Sequence, residues 1–228
     1  VSRPPWILLH GAGGGAWEWR HWNRRLSAER RRFICPDFSI LAGGREPTAF
    51  AQLSEGLSQS LQLEAGAALI GASFGGLLAA SLVGSLQASA LVLINPIACA
   101  PHLAAASAIS HSARKHWGRD ARLDATLRAL PELDPVDAAA AFRHWADFDA
   151  KLLAEACAGI PLQALGCPTL VLVCGEDREL SPASALSMAH AWGADIVRLP
   201  GSHVSPLLGH RWRHAFDLVD DWLSARLR

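Results

Sequence analysis

The stretch Ala67-Ala68-Leu69-Ile70-Gly71-Ala72-Ser73-Phe74-Gly75-Gly76-Leu77-Leu78-Ala79-Ala80 leaves this chain few ways to fold. It reads as a short apolar strand, a turn that only small residues can make, and an Ala/Leu-rich helix. Its centre, Gly71-x-Ser73-x-Gly75, is the nucleophile-elbow pattern. Serine at such a bend is pushed to positive φ, at a cost of roughly 1–3 kcal/mol that surrounding structure has to offset. Gly71 and Gly75 let strand and helix approach closely around it. The bend lifts the Ser73 hydroxyl clear and aims the N-terminus of the next helix at whatever Ser73 attacks. A G-x-S-x-G pentapeptide also arises by chance, so the rest of the chain has to decide.

Around this centre strands and helices alternate. Trp6-Ile7-Leu8-Leu9 is a continuous apolar run, as expected of a strand buried on both faces of a parallel sheet. It runs into the glycine-rich loop His10-Gly11-Ala12-Gly13-Gly14-Gly15, and Trp17 to Leu26 reads as a helix. Arg32 to Asp37 is a second short strand, and a helix is expected from Thr48 to Leu61. Ala90 to Asn95 is a fourth strand, ended by Pro96. Pro168 to Cys174 is a fifth, followed by a helix from Ser181 to Trp192. Asp195 to Leu199 is a sixth, and a last helix runs from Trp212 to Leu227. Right-handed crossovers then impose an α/β fold, a doubly wound, mostly parallel six-stranded sheet with helices on both faces. Residues 97–165 interrupt the alternation with helical, Ala-rich sequence punctuated by Pro101, Pro131, Pro135 and Pro161. They are expected to form a helical lid on a single domain, 1–228, whose core is 1–96 and 166–228.

In such sheets reactive groups collect in loops at the carboxyl ends of strands. Ser73, Asp177 and His203 all fall there, in the order Ser, acid, His that this arrangement requires. Neutral serine is a poor nucleophile and needs a base held in the right tautomer by a third group. The expected roles are Ser73 as nucleophile, His203 as base then acid, and Asp177 as the residue orienting His203. Each has a plainer reading: Asp177 as the cap of the following helix, His203 as one solvated histidine among ten. Together, in that order, they point to a catalytic triad. An oxyanion formed at Ser73 needs two backbone N–H donors, and losing one typically costs ~10²–10³ in rate. Phe74 is one expected donor; Ala12, in the glycine-rich loop, is the other.

That loop is a poor phosphate cradle. It lacks the G-x-G-x-x-G spacing, and the chain's only lysines, Lys115 and Lys151, sit in no Walker motif. His111 and His116 are five apart, and no H-E-x-x-H or paired-Cys spacing occurs, so neither a metal nor a cofactor is implied. Lys+Arg balance Asp+Glu at a net charge of zero, which gives no reason to expect nucleic acid. Cys35, Cys99, Cys157, Cys167 and Cys174 are scattered and odd in number, as in a reducing compartment. No apolar run approaches the ~20 residues of a membrane span, so a cytoplasmic protein without a membrane partner is expected.

On these residues the chain resembles the α/β-hydrolase superfamily. His10-Gly11-Ala12-Gly13 is similar to its oxyanion loop and Gly71-Ala72-Ser73-Phe74-Gly75-Gly76 to its elbow. Gly175-Glu176-Asp177 and Gly201-Ser202-His203 are similar to its acid and base loops. His10 to Trp19 also resembles the methylesterase and hydroxynitrile-lyase branch, which carries H-G-x-x-x-G-A-W. The lyases have lysine after the base histidine where this chain has Val204, which disfavours cyanohydrin cleavage. Asn95 stands where some members place the acid, and the two N-terminal antiparallel strands usual in the superfamily are missing, which implies a trimmed sheet.

The resemblance places the substrate under the lid. Trp117, Phe142, Trp145 and Phe148 are candidates for an apolar acyl pocket or for plain packing, and Gly11 and Val204 are expected to contact substrate. The locally basic run His111 to Arg122 is either a solvated face or a dock for an acyl carrier protein or a coenzyme A phosphate. Three readings follow: a serine carboxylesterase; a thioesterase or carrier-linked methyl-ester hydrolase with the same triad; and a binding protein that keeps the fold without turnover, as plant hormone receptors of this superfamily do. The substrate is a small-molecule ester or thioester on the first two. The oligomeric state is left open.

Overall fold

The structure, a computed structural model, describes residues 3–38, 47–103, 114–115, 118–163 and 166–227. β1 (Trp6–Leu9) leads through a 3-10 turn (Ala16–Trp19) into α1 (Arg20–Ala28), then β2 (Phe33–Ile34) and α2 (Phe50–Ser60). β3 (Ala68–Ala72) and α3 (Phe74–Leu82) flank Ser73, and β4 (Ala90–Ile94) follows. Between β4 and the next sheet strand come β5 (Arg114–Lys115), α4 (Leu123–Ala129), α5 (Pro135–His144), β6 (Phe148–Asp149) and α6 (Ala150–Gly159). The chain ends with β7 (Thr169–Cys174), α7 (Pro182–Ala191), β8 (Asp195–Leu199) and α8 (Trp212–Arg226).

Six strands pair in parallel in the order β2-β1-β3-β4-β7-β8, the expected doubly wound sheet. Alternation along each strand assigns its two faces. Ile7, Leu9, Leu69, Leu91, Leu93, Val171 and Val173 share one core with α2, α3, α6 and α7. Trp6, Leu8, Ile70, Val92, Ile94 and Leu172 share the other with α1 and α8. There Trp6, Trp22 and Phe216 meet at ring separations of 5.3–6.3 Å, giving aromatic contact along with apolar burial.

Two expected elements differ in extent. β2 covers two residues rather than six, because it is an edge strand pairing only with Trp6 and Ile7, and Pro36 cannot donate to a ladder. The expected helix from Trp17 begins as the tighter 3-10 turn, which buries Glu18 and Trp19, and turns α-helical at Arg20. The insertion is helical as expected, with the addition of an antiparallel pair, β5 with β6. Among the described residues no helix is long and apolar enough to cross a membrane.

Candidate active site

Ser73 sits between β3 and α3 at φ 55°, ψ −121°, in the left-handed half of backbone space. Its N–H donates to Ile94 O at 3.0 Å, and its carbonyl accepts from Gly76 N and Ile97 N, so the bend is held from β4 as well as from its own helix. The flanking glycines are required by close approach. A Cβ on Gly71 would lie 2.1 Å from Gly75 O, and one on Gly75 would lie 2.3 Å from both Leu9 O and His10 O. β1 and the elbow thus pack backbone to backbone, which brings the glycine-rich loop beside Ser73.

Asp177 and His203 come together from the loops after β7 and β8. His203 Nδ1 lies 2.7 Å from Asp177 Oδ2, and both side chains are largely buried. Asp177 Oδ1 accepts the N–H groups of Glu179 and Leu180 at 2.9 and 3.0 Å, so the capping role and the pairing role coexist on one carboxylate. Nδ1 so engaged leaves Nε2 for another partner. Ser73 and His203 line the same cavity, and among the described residues no hydrogen bond joins them. Bonds of this kind are often long in unliganded sites and tighten around substrate.

The loop that carries His203 is held by residues outside the expected triad. Glu132, in the segment between α4 and α5, accepts the Ser202 N–H at 2.8 Å and a short hydrogen bond from Ser205 Oγ. Asn95 Nδ2 donates to His203 O, and Trp22 Nε1 donates to Pro206 O at 3.0 Å.

The cavity has a volume of about 480 Å³, within the range of small-molecule sites. Gly11, Ala72, Ser73 and Ile94 form the wall on the sheet side. Val204, Leu207 and Leu208 form another, and the insertion contributes Ala125, Thr126, Leu130 and Trp145. Asp120, Arg122 and Glu179 bring charge to its lining. Trp145 Nε1 donates to Thr126 Oγ1 at 3.1 Å, and its ring stands edge-on to Trp17 at 5.3 Å. Ala146 N donates to Gly13 O at 2.8 Å, tying the insertion to the glycine-rich loop.

Glu18 is the unforeseen member. Its Oε2 accepts the Gly11 N–H at 2.9 Å on the cavity wall. Burial pushes its carboxyl up to about 7, while the Gly11 N–H and His203 pull it down. Burial also lowers His10, whose ring stacks on Phe38 at 3.9 Å and whose Nδ1 lies 2.8 Å from Gly11 O.

Of the expected substrate contacts, Gly11, Trp145 and Val204 line the cavity and Phe142 does not. Phe142 is half-buried on α5, and α4, packed against α5, supplies the wall instead. Phe148 packs on Phe74 at 5.0 Å, which is the plain packing role. Trp117 lies outside the described residues, as do His111 to Ala113 and His116 of the basic run. Within that run's described end, Arg119 pairs with Asp120 and Arg122 with Asp124. Phe74 has its ring buried among Phe38, Phe50 and Phe148, with its N–H in the first turn of α3. Ala12 follows Gly11 and packs partly buried on the core. All five cysteines are free thiols.

A family model described as the alpha/beta hydrolase family matches residues 6–217. No curated protein matches the sequence. Among solved structures, the chain is similar to a thermophilic esterase from Thermogutta terrifontis in its malate-bound form, with TM-score 0.76 and 19% identity over 100% of this chain and 92% of that one. It is similar to tomato methylketone synthase I complexed with 2-tridecanone, with TM-score 0.76 and 14% identity over 99% and 100%. Polyneuridine aldehyde esterase gives TM-score 0.73 and 14% identity over 97% and 100%. At these identities the likeness is one of fold.

Proposed function

The chain belongs to the alpha/beta hydrolase family, and on that premise we propose that it is a serine hydrolase cleaving a carboxylic ester through an acyl-enzyme on Ser73. The observation that carries this reading is His203, paired with Asp177, facing the same cavity as a serine held at φ 55°. Ser73 Oγ attacks the ester carbonyl as His203 Nε2 takes its proton, and Asp177 stabilises the imidazolium. The N–H groups of Phe74 and Ala12 receive the oxyanion. Collapse expels the alcohol, which takes the proton from His203. Water then attacks the acyl-enzyme with His203 again as base, releasing the acid and restoring Ser73.

The insertion acts as lid in this scheme, and the apolar wall of Ile94, Leu130, Trp145, Leu207 and Leu208 favours a small to medium acyl or alcohol group. Thioesters would react through the same residues. A fluorophosphonate probe, mapped by mass spectrometry, tests the nucleophile, beside p-nitrophenyl ester and thioester chain-length series on wild type and Ser73→Ala. Labelling at Ser73 with turnover lost in Ser73→Ala is expected. A protein that neither labels nor turns over any ester or thioester would be a binding protein instead.

A further inference from the structure

The acyl-transfer scheme leaves a buried carboxyl on the cavity wall without a part. Glu18 is 7% exposed and lines the cavity with Gly11, Ser73 and His203. The glycine-rich loop is wrapped around its carboxyl. Oε2 accepts the Gly11 N–H, and a Cβ on Gly14 would fall 1.9 Å from Oε1. A Cβ on Gly11 would touch both Glu18 Oε2, at 3.6 Å, and Ser73 Cβ, at 3.5 Å. The carboxyl therefore stands one residue from Ala12, the loop's donor to the oxyanion, on the side of the loop that faces the nucleophile.

Charge on such a group bears directly on the reaction. A carboxylate there opposes the negative charge that develops on the substrate oxygen in a site shielded from water. A carboxylic acid adds no charge and keeps an O–H to donate. We propose that Glu18 takes part in acyl transfer as the uncharged acid, and that loss of its proton switches off reaction at Ser73. This rests on Ser73 being the nucleophile.

The groups that face Glu18 are the Gly11 N–H from the glycine-rich loop, neutral Ser73 from the elbow, and His203 from the base loop. His203 is the one ionisable side chain among them. The productive arrangement has both Glu18 and His203 neutral. Moving a proton from Glu18 to His203 gives an arrangement with the base occupied and a carboxylate beside the oxyanion site. Burial opposes that charged arrangement and holds the Glu18 carboxyl up near 7.

The test is the rate at which a fluorophosphonate labels Ser73, followed from about pH 5.5 to 9 in wild type and Glu18→Gln. Phosphonylation uses the same base and oxyanion site without needing the natural substrate. The wild-type rate is expected to fall roughly tenfold per pH unit above about pH 8. Glu18→Gln, which keeps a donor and cannot ionise, is expected to lose that fall. The ratio of variant to wild-type rate should then rise about fifteenfold between roughly pH 7 and 8.5. A ratio that stays flat or declines overturns the proposal. Wild type decides alone should the variant not fold, because a rate level from about pH 7 to 9 also overturns it. Absence of labelling at every pH removes the nucleophile reading itself and this role for Glu18 with it. Labelling with a flat profile removes only the latter.

Discussion

Asn95 donates its side-chain amide to the backbone carbonyl of His203 at 2.8 Å while its own Oδ1 accepts the Cys174 N–H at 2.7 Å. One buried side chain thus joins the ends of β4 and β7 to the loop that carries His203. Asn95→Ala leaves the Cys174 N–H without its acceptor, a loss of about 1–3 kcal/mol. Activity is expected to fall ~10- to 100-fold, mainly in kcat, because His203 loses its backbone restraint. Chemical denaturation and steady-state kinetics on the most active ester of the chain-length series check the two parts separately.

Glu132 acts on the same loop from the other side. Its two oxygens hold Ser202 and Ser205, the residues one before and two after His203. Glu132→Ala is expected to lower kcat about tenfold with a smaller change in KM, since what is lost is the placement of the base. Glu132→Gln keeps one acceptor oxygen and should recover part of the loss. A purely stabilising role would lower the melting temperature in both variants without this split.

Gly75→Ala tests the elbow as packing rather than chemistry. The new methyl would meet two backbone carbonyls at 2.3 Å, and neither can move without pulling β1 from the sheet. A destabilisation of about 3 kcal/mol or more is expected, seen as a lowered thermal midpoint or lost soluble yield. Gly84→Ala is the control: nothing lies within 4 Å of the added carbon, and stability should hardly change.

These three sites differ in how far the sequence disclosed them. The elbow was readable because Gly71 and Gly75 sit two residues either side of Ser73, so spacing alone encodes the contact. Strand ends were readable from apolar runs closed by Gly, Pro or Asp, and they placed Asp177 and His203 near one another. In the sequence Asn95 marks only a position where some superfamily members place the acid; that it is a strut depends on β4 and β7 being neighbours, which no local pattern states. Glu132 reaches Ser202 across 70 positions of chain and has no signature at all. Glu18 did leave a trace, a carboxylate between Trp17 and Trp19, yet on an exposed helix the same residue would have been ordinary. The aromatic residues of the insertion divided between cavity and core for the same reason: composition names them, and only tertiary packing says which face they serve.

Glu18 also makes stability depend on pH. Its carboxyl is raised from an ordinary 4.5 to about 7 by burial, so the folded protein holds the proton more tightly than the unfolded chain. The associated stability is fully present below 4.5 and is lost as pH rises through about 7. The difference of roughly 2.5 units corresponds to about 3 kcal/mol. Relative to Glu18→Gln, wild type is expected to lose stability between about pH 5 and 8, measured by urea denaturation at a series of pH values.

Trp145 is the cavity's largest apolar wall residue, braced by Thr126 and Trp17. Trp145→Ala is expected to enlarge the cavity and shift preference toward longer or bulkier esters, by about tenfold in relative kcat/KM. A thermal shift measured alongside separates this from general loosening.

The hydrogen bond from Ala146 to Gly13, the Arg20–Asp137 ion pair at 3.2 Å and the Trp17–Trp145 contact together fasten the insertion to the loop and helix after β1. The insertion is therefore no interchangeable cassette. A chimera given the corresponding segment of another family member would acquire a new cavity wall and lose the anchorage of its glycine-rich loop in the same stroke. On the proposed function, a change on one side of that seam alters both the cavity wall and the setting of the glycine-rich loop.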